Sequence, residues 1–180
     1  MNNVSILNAL HYKSEVEIIV RHDNGRDIKF STHNEALPAM SEFFAQSIIG
    51  YDTRSTIPTS VMLKQKTQDA QGVEREVDIL LSPSIITGKN YSKVTSGDYV
   101  GYYQLSFNIL ITSNALNSQA NLDNTKNYLY LQNAIGSEFA KIALVNDAGE
   151  DVALSTLLGD GKNLIINWKI ILCNYKGDNA

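Results

Sequence analysis

The residues able to carry chemistry are few and poorly matched to one another. His11, His22 and His33 recur at intervals of eleven, a spacing that belongs to no zinc-site pattern. Carboxylates gather as Glu74, Glu76 and Asp78, and again as Asp147, Glu150 and Asp151. On a strand the first three share a face, where oxygen ligands could hold a divalent cation; a solvated edge is the simpler account. The second group lacks the length and glycine placement of an EF-hand loop and reads as an acidic turn. Cys173 is the only cysteine, which excludes an internal disulfide. It lies in an alternating apolar stretch, where a free thiol acts as a small hydrophobe. There is no GxxxxGK[ST] or GxGxxG phosphate loop and no GxSxG elbow. The sequence therefore assigns no catalytic residue, no cofactor-binding residue and no metal ligand, and neither a cofactor nor an enzymatic activity is expected.

What remains is contact chemistry. Nine tyrosines are present, and several fall in or beside polar segments, among them Tyr51, Tyr91, Tyr99 and Tyr175. Tyrosine with asparagine and serine is the composition of adaptable contact surfaces for proteins and glycans. Strand edges of sheet proteins are also tyrosine-rich without any ligand. Loops over residues 64–75, 84–98 and 114–127 are the expected contact surfaces, because a rigid sheet carries function on its loops. The candidate contact residues are Tyr91, Tyr99, Asn117, Asn121 and Asn124. The segment 117–126 is expected to be dispensable for folding.

A chain of 180 residues that is 43% hydrophobic and 19% charged has the length and composition of one folded domain with a sizeable core. With a net charge of −4 and no dense run of Lys or Arg, it lacks the electrostatic footprint of a nucleic-acid binder. No basic segment followed by an apolar run marks a secretory leader. No apolar stretch approaches the ~20 residues that cross a bilayer, so no membrane partner is expected.

The elements that must position these residues are read from periodicity. NLIINWKIILCN, residues 163–174, alternates, with Leu164, Ile166, Trp168, Ile170 and Leu172 on one face. YYQLSFNILI does the same with Tyr103, Leu105, Phe107, Ile109 and Ile111. Residues 15–31 read as a hairpin turning at Asn24-Gly25. Leu37, Met40, Phe44 and Ile48 fall at helical spacing, with Asn34 as cap, Pro38 in the first turn and Gly50 just past the end. Shorter strands are expected near 57–64, 76–81, 128–131 and 139–145. The fold class is mainly β, with β-sandwich-like antiparallel sheets and one amphipathic helix over residues 36–49. It forms a single domain over 1–180, with an N-terminal arm at 1–14 and a frayed end at 176–180.

The order of pieces resembles a diffuse group of small tailed-bacteriophage virion proteins of tail, baseplate, collar and capsid appendages. The hairpin EIIVRHDNGRDIKF leads into the helix ALPAMSEFFAQSIIG. The strand IPTSVMLKQK, the blocks YYQLSFNILI and YLYLQNAIGSEFAKIALVN, and the closing NLIINWKIILCN follow. Trp168 matches the tryptophan of the group's closing strand. Asn133 and Ala134 stand where the group carries an acidic residue, and Lys64–Thr67 replaces a Gly-Thr-Gly signature. The resemblance covers most of the chain by layout and transfers no functional residue. It implies a non-enzymatic structural protein, homo-oligomeric and in contact with other virion proteins, located in the virion and assembled in the host cytoplasm. The alternative is a carbohydrate- or receptor-binding module whose partner is a glycan or host receptor.

Overall fold

The computed structural model describes residues 11–21, 27–33, 35–52 and 56–173. Ten strands and two helices follow in the order β1 (His11–Arg21), β2 (Asp27–His33), β3 (Glu35–Ala36), α1 (Pro38–Ile48), β4 (Pro58–Gln68), β5 (Glu74–Asp78), β6 (Ser84–Lys93), β7 (Tyr103–Thr112), β8 (Asn127–Asn133), β9 (Glu138–Ala143), α2 (Leu154–Leu158) and β10 (Asn163–Cys173). The mainly-β, antiparallel class and the single amphipathic helix after the hairpin are as expected. The pairing does not divide into two separate sheets. One hydrogen-bonded path runs β2-β1-β10-β7-β6-β4-β8-β9-β3, with β5 on the flank of β4. Its first and last members, β2 and β3, are separated in the chain by a single residue, so the sheet curls until its two ends meet.

The two stretches with the clearest alternation are direct neighbours. β10 pairs with β7 so that Leu164 faces Ile111, Ile166 faces Ile109, Trp168 faces Phe107 and Ile170 faces Leu105. On its other edge β10 meets β1, placing Ile18 beside Ile166 and Val16 beside Trp168. These rows line the concave side. With Val61, Leu63, Leu129, Leu131 and Ile142 from the opposite half of the curl they form one buried core. Trp168 and Leu63 are fully buried at its centre. α1 begins with Pro38 and packs on β9, its Phe43 ring edge-on to Phe139 at 5.6 Å. α2 presents Leu154, Leu157 and Leu158 to the core beside β10 and β1.

Two expected loops prove to be strands. Residues 64–75 hold the end of β4, a tight turn and the start of β5, paired from Lys64–Asp78 to Gln68–Glu74. Residues 84–98 contain β6, ten residues long. Its alternation is invisible because most of its side chains on both faces are exposed. The β4–β5 turn, DAQGV, shares its construction with NAIGS at 133–137 and NDAGE at 146–150. In each, the first residue's Oδ1 accepts from the N–H groups two and four positions on. The glycine, at φ +79 to +81, donates to that first residue's carbonyl. Glycine takes this left-handed conformation without steric cost.

The 114–127 segment is a connection, as expected, but a fixed one. Oδ1 of Asn117, Asn121 and Asn124 accepts in turn from the N–H of Gln119, Asp123 and Lys126, at 2.8, 3.1 and 2.7 Å. The segment is tied to β4 by Gln65, which is fully buried. Gln65 Nε2 donates to the Asn121 carbonyl and to Asn127 Oδ1, and its Oε1 accepts from Asn121 N–H. Asn127 in turn donates to the carbonyls of Asn124 and Val152. The expectation that 117–126 is dispensable is therefore corrected: its removal would strip Gln65 of partners in the core. Residues 11–14 of the expected N-terminal arm belong to β1. Residues 1–10, 22–26 with the Asn-Gly turn, the Asn34 cap and 174–180 lie outside the described residues, as do the side chains of Cys173, His11 and His33.

Asn127→Ala should lower stability to urea by about 2–3 kcal/mol, the cost of leaving buried amide and carbonyl groups unpaired. Asn114→Ala, on an exposed position of the same segment, should stay within about 0.5 kcal/mol of wild type. Equal midpoints for the two variants would show that the buried amides do not hold this segment.

Candidate interaction surface

β6 is paired with β7 over the whole stretch from Ile86 to Lys93. Its other edge meets β4 only at Ser84 and Ile85. From there β6 runs past the start of β4, and among the described residues no strand lies against that edge. Residues 94–102 fold back to β7 through Val94 N–H to the Tyr102 carbonyl and Gly101 N–H to the Val94 carbonyl. The result is a projecting strand end with two accessible faces.

Tyr91 and Tyr99 both belong to this end but face opposite ways. Tyr91 lies in the row of Leu105 and Ile170, where the concave side opens outward. Its ring stacks at a tilt on Tyr103, 5.8 Å between centroids. The two tyrosines are 68% and 51% exposed, large values for aromatic rings beside a core. Below them a 250 Å³ apolar recess is lined by Phe43, Ile57, Pro58, Leu105 and Phe107. Tyr99 lines a groove of about 640 Å³ on the convex side. There the 94–99 segment forms one wall, and Glu15, Gln104, Lys169 and Ile171 form the floor. That groove is mostly polar, with hydroxyl, amide and charged side chains of both signs.

Asn117, Asn121 and Asn124 are not part of this surface. Besides the bonds above, the side chains of Asn117 and Asn124 donate to the carbonyls of Asp78 and Lys66. All three shape the connection through their Oδ1 atoms, and Asn117 and Asn124 also tie it to β5 and β4.

A second cluster, not anticipated from sequence, lies on the convex side of β5, β4, β8 and β9. The carboxylates considered for a cation meet lysines there. Glu74 pairs with Lys66, and Asp78 with Lys64 at 3.4 Å. Glu76 accepts from Lys141 at 2.7 Å and from the Tyr130 hydroxyl. Lys64 also reaches Glu138 at 2.7 Å. Lys64 and Lys141 lie over the Tyr130 and Tyr128 rings, 4.8 and 4.3 Å from the centroids. Partial burial by itself would raise the Glu76 carboxyl, but the Lys141 and Tyr130 hydrogen bonds outweigh it and hold the group below its ordinary range. Burial first, then the Glu76 hydrogen bond, pushes the Tyr130 phenol up. Burial works against the Lys64 ammonium, yet Glu138 and Asp78 keep its value raised. Each ion of this cluster touches an opposite charge, with Lys64 shared between Asp78 and Glu138, which suits a structural clamp across four strands. The sequence signal for it was the run of lysines and tyrosines at the same parity along β4 and β8, readable only once the two strands are known to pair.

Lys89 and Lys93 are different. They flank Tyr91 on the open edge of β6 and are exposed, and no ion pair or hydrogen bond engages either ammonium among the described residues. No group of three or more side chains able to hold a metal converges among the described residues. No described helix is long and apolar enough to cross a membrane. Comparison with family models, with curated proteins and with solved structures found no match to this chain.

Tyr130→Phe removes a hydrogen bond to a partly buried carboxylate. At pH 7 it should cost about 1–2 kcal/mol. Because the folded Glu76 titrates below its unfolded value of about 4.3, the charged bond is fully present above that pH. It is lost as pH falls through the folded value. The gap between variant and wild type should therefore close in urea titrations carried from pH 7 to pH 3, and a gap that stays constant would remove Glu76 from the account.

Proposed function

We propose that this chain is a non-enzymatic structural component of a bacteriophage virion, of the tail, baseplate, collar or capsid-appendage kind, acting through protein–protein contacts. The observation that carries the reading is the projecting β6–β7 end. It combines an open strand edge, two stacked exposed tyrosines and an apolar recess. Exposed aromatic groups beside an apolar pocket are the anchors that protein interfaces use. The layout resemblance to small virion proteins supplies the setting, with other virion proteins and further copies of the chain as partners.

A second reading, a carbohydrate- or receptor-binding module, draws on a different feature. The Tyr99 groove offers one aromatic ring among hydroxyl, amide and charged groups, on a sheet face wide enough for a short saccharide.

Two measurements separate them. Antibody raised against the purified chain should decorate particles from the source phage by immunogold electron microscopy. Unlabelled particles, with the protein recovered only in the soluble lysate, would overturn the virion reading. On a glycan array, hits that disappear in Tyr99→Ala and persist in Tyr91→Ala would establish the second reading, and a blank array would discard it.

A further inference from the structure

Among the described residues two strand edges are open at once, and they carry opposite charge. On β6, Lys89, Tyr91 and Lys93 share one face of an edge that is unpaired among the described residues beyond Ile85. Among the described residues β5 pairs as a strand only with β4, so its outer edge is open from Glu74 to Val77, while at Asp78 the carbonyl already accepts from Asn117 Nδ2. β5 carries Glu74, Glu76 and Asp78 on one face. Both triplets place charges four residues apart, about 13 Å along a strand. Glu74 and Asp78 have side-chain exposures of 52% and 55%. Each is held by one lysine within its own copy, which leaves carboxylate lone pairs free to accept a second ammonium.

We infer that β6 of one copy adds to β5 of the next, extending the sheet across the interface. Antiparallel alignment of the five-residue segments sets Lys89 against Asp78, Tyr91 against Glu76 and Lys93 against Glu74. The parallel alignment conserves the charge match. On the opposite face Asn90 and Ser92 meet Arg75 and Val77. Backbone hydrogen bonds supply the adhesion, as in other strand additions, and the paired charges select the partner and its register. Pairing β6 with β6 brings lysine-bearing edges together, and pairing β5 with β5 does the same for carboxylates, so both symmetric alternatives are disfavoured. The contact joins two different surfaces. It is therefore heterologous and generates a ring when the rotation closes, or a filament when it does not. Lysines on an open edge also serve, in other proteins, to keep that edge unpaired, and the experiment decides between the two roles. The inference deepens the assembly reading above but does not depend on the assembly being a virion.

Equal amounts of unlabelled and ¹⁵N-labelled chain, mixed at high concentration and treated with a carbodiimide, should give mixed-isotope cross-links between Lys89 or Lys93 and Glu74, Glu76 or Asp78. Light scattering across a hundredfold concentration range should show association that weakens at least tenfold in Lys89→Glu/Lys93→Glu. Tyr99→Ala, on the opposite face, should associate as wild type does. The lysine variant's thermal midpoint provides the folding control, since both positions are exposed. Cross-links confined to single-isotope pairs, mixed links at other residues, or association indifferent to the lysine pair would overturn the inference. A strictly monomeric wild-type chain would also overturn it and make the two lysines guards of the edge. Immunogold labelling of particles together with any of these failures would leave the virion reading standing without this contact.

Discussion

The rest of the structure depends on the insertion of β10 between β1 and β7. It is the last strand of the described residues, yet it lies third along the sheet path and pairs over its length on both edges. Its concave residues, from Leu164 to Ile170, are all fully buried. Until residues 163–173 are in place, β1 and β2 form a hairpin with no core to cover. The β6–β7 pair then lacks a partner on one side. The contacts that complete the fold join the first strand to the last, a topology whose loop-closure entropy must be met before the packing is gained. Trp168 sits at the centre of this insertion, between Val16 and Phe107. The largest side chain in the core thus belongs to the strand that arrives last.

The opposite half of the curl is held in another way. There the core face of β4 and β8 ends not in aliphatic side chains but in Gln65 and Asn127, which are opposite one another in the ladder. Two buried amides would be costly if unpaired. Here both N–H groups of each amide donate and both side-chain oxygens accept. Their partners are backbone groups of the 121–124 segment and Val152, together with each other. The amides add what apolar packing alone does not supply, because this asparagine-rich segment has only Ala115, Leu116 and Ala120 to set against the core. It is fixed through directional bonds, and α2, whose Leu154 and Ser155 N–H groups donate to the Asn124 and Leu122 carbonyls, is fixed with it.

How much of this was legible in the sequence follows from what each residue faces. β7 and β10 each bury one face over most of their length, so their period-2 pattern survives in composition. α1 was legible for the same reason, with Pro38 marking its start. β6 was not, because it borders solvent on both sides and on one edge, and polarity there looks like a loop. The β4–β5 hairpin was missed although its turn repeats the Asx-x-x-Gly construction found again at 133–137 and 146–150. The composition of 114–127 points to contact residues, since a sequence shows that amides are present and does not show whether they bond outward or to the backbone. Tyr91 and Tyr99 were placed in an exposed stretch, and both are at the projecting end. That they lie on opposite faces depends on the strand β6 that composition hid.

The distribution of charge follows the same logic. Where β5, β4, β8 and β9 lie side by side, lysines and carboxylates alternate across strands, three ammonium groups against four carboxylates. That arrangement stabilises the convex face and leaves it with an excess of negative charge. Such pairing requires neighbours, and β6 beyond Ile85 has a neighbour on one edge only. Its lysines point where no strand of the described residues supplies a carboxylate. The unmatched charge is thus a direct consequence of topology: β6 outruns β4, and its exposed end keeps the backbone groups, the aromatic rings and the ammonium groups that a paired strand would have satisfied. An open edge of this kind is where the physics of the fold leaves unsatisfied bonding capacity, and contact with a partner is what would satisfy it.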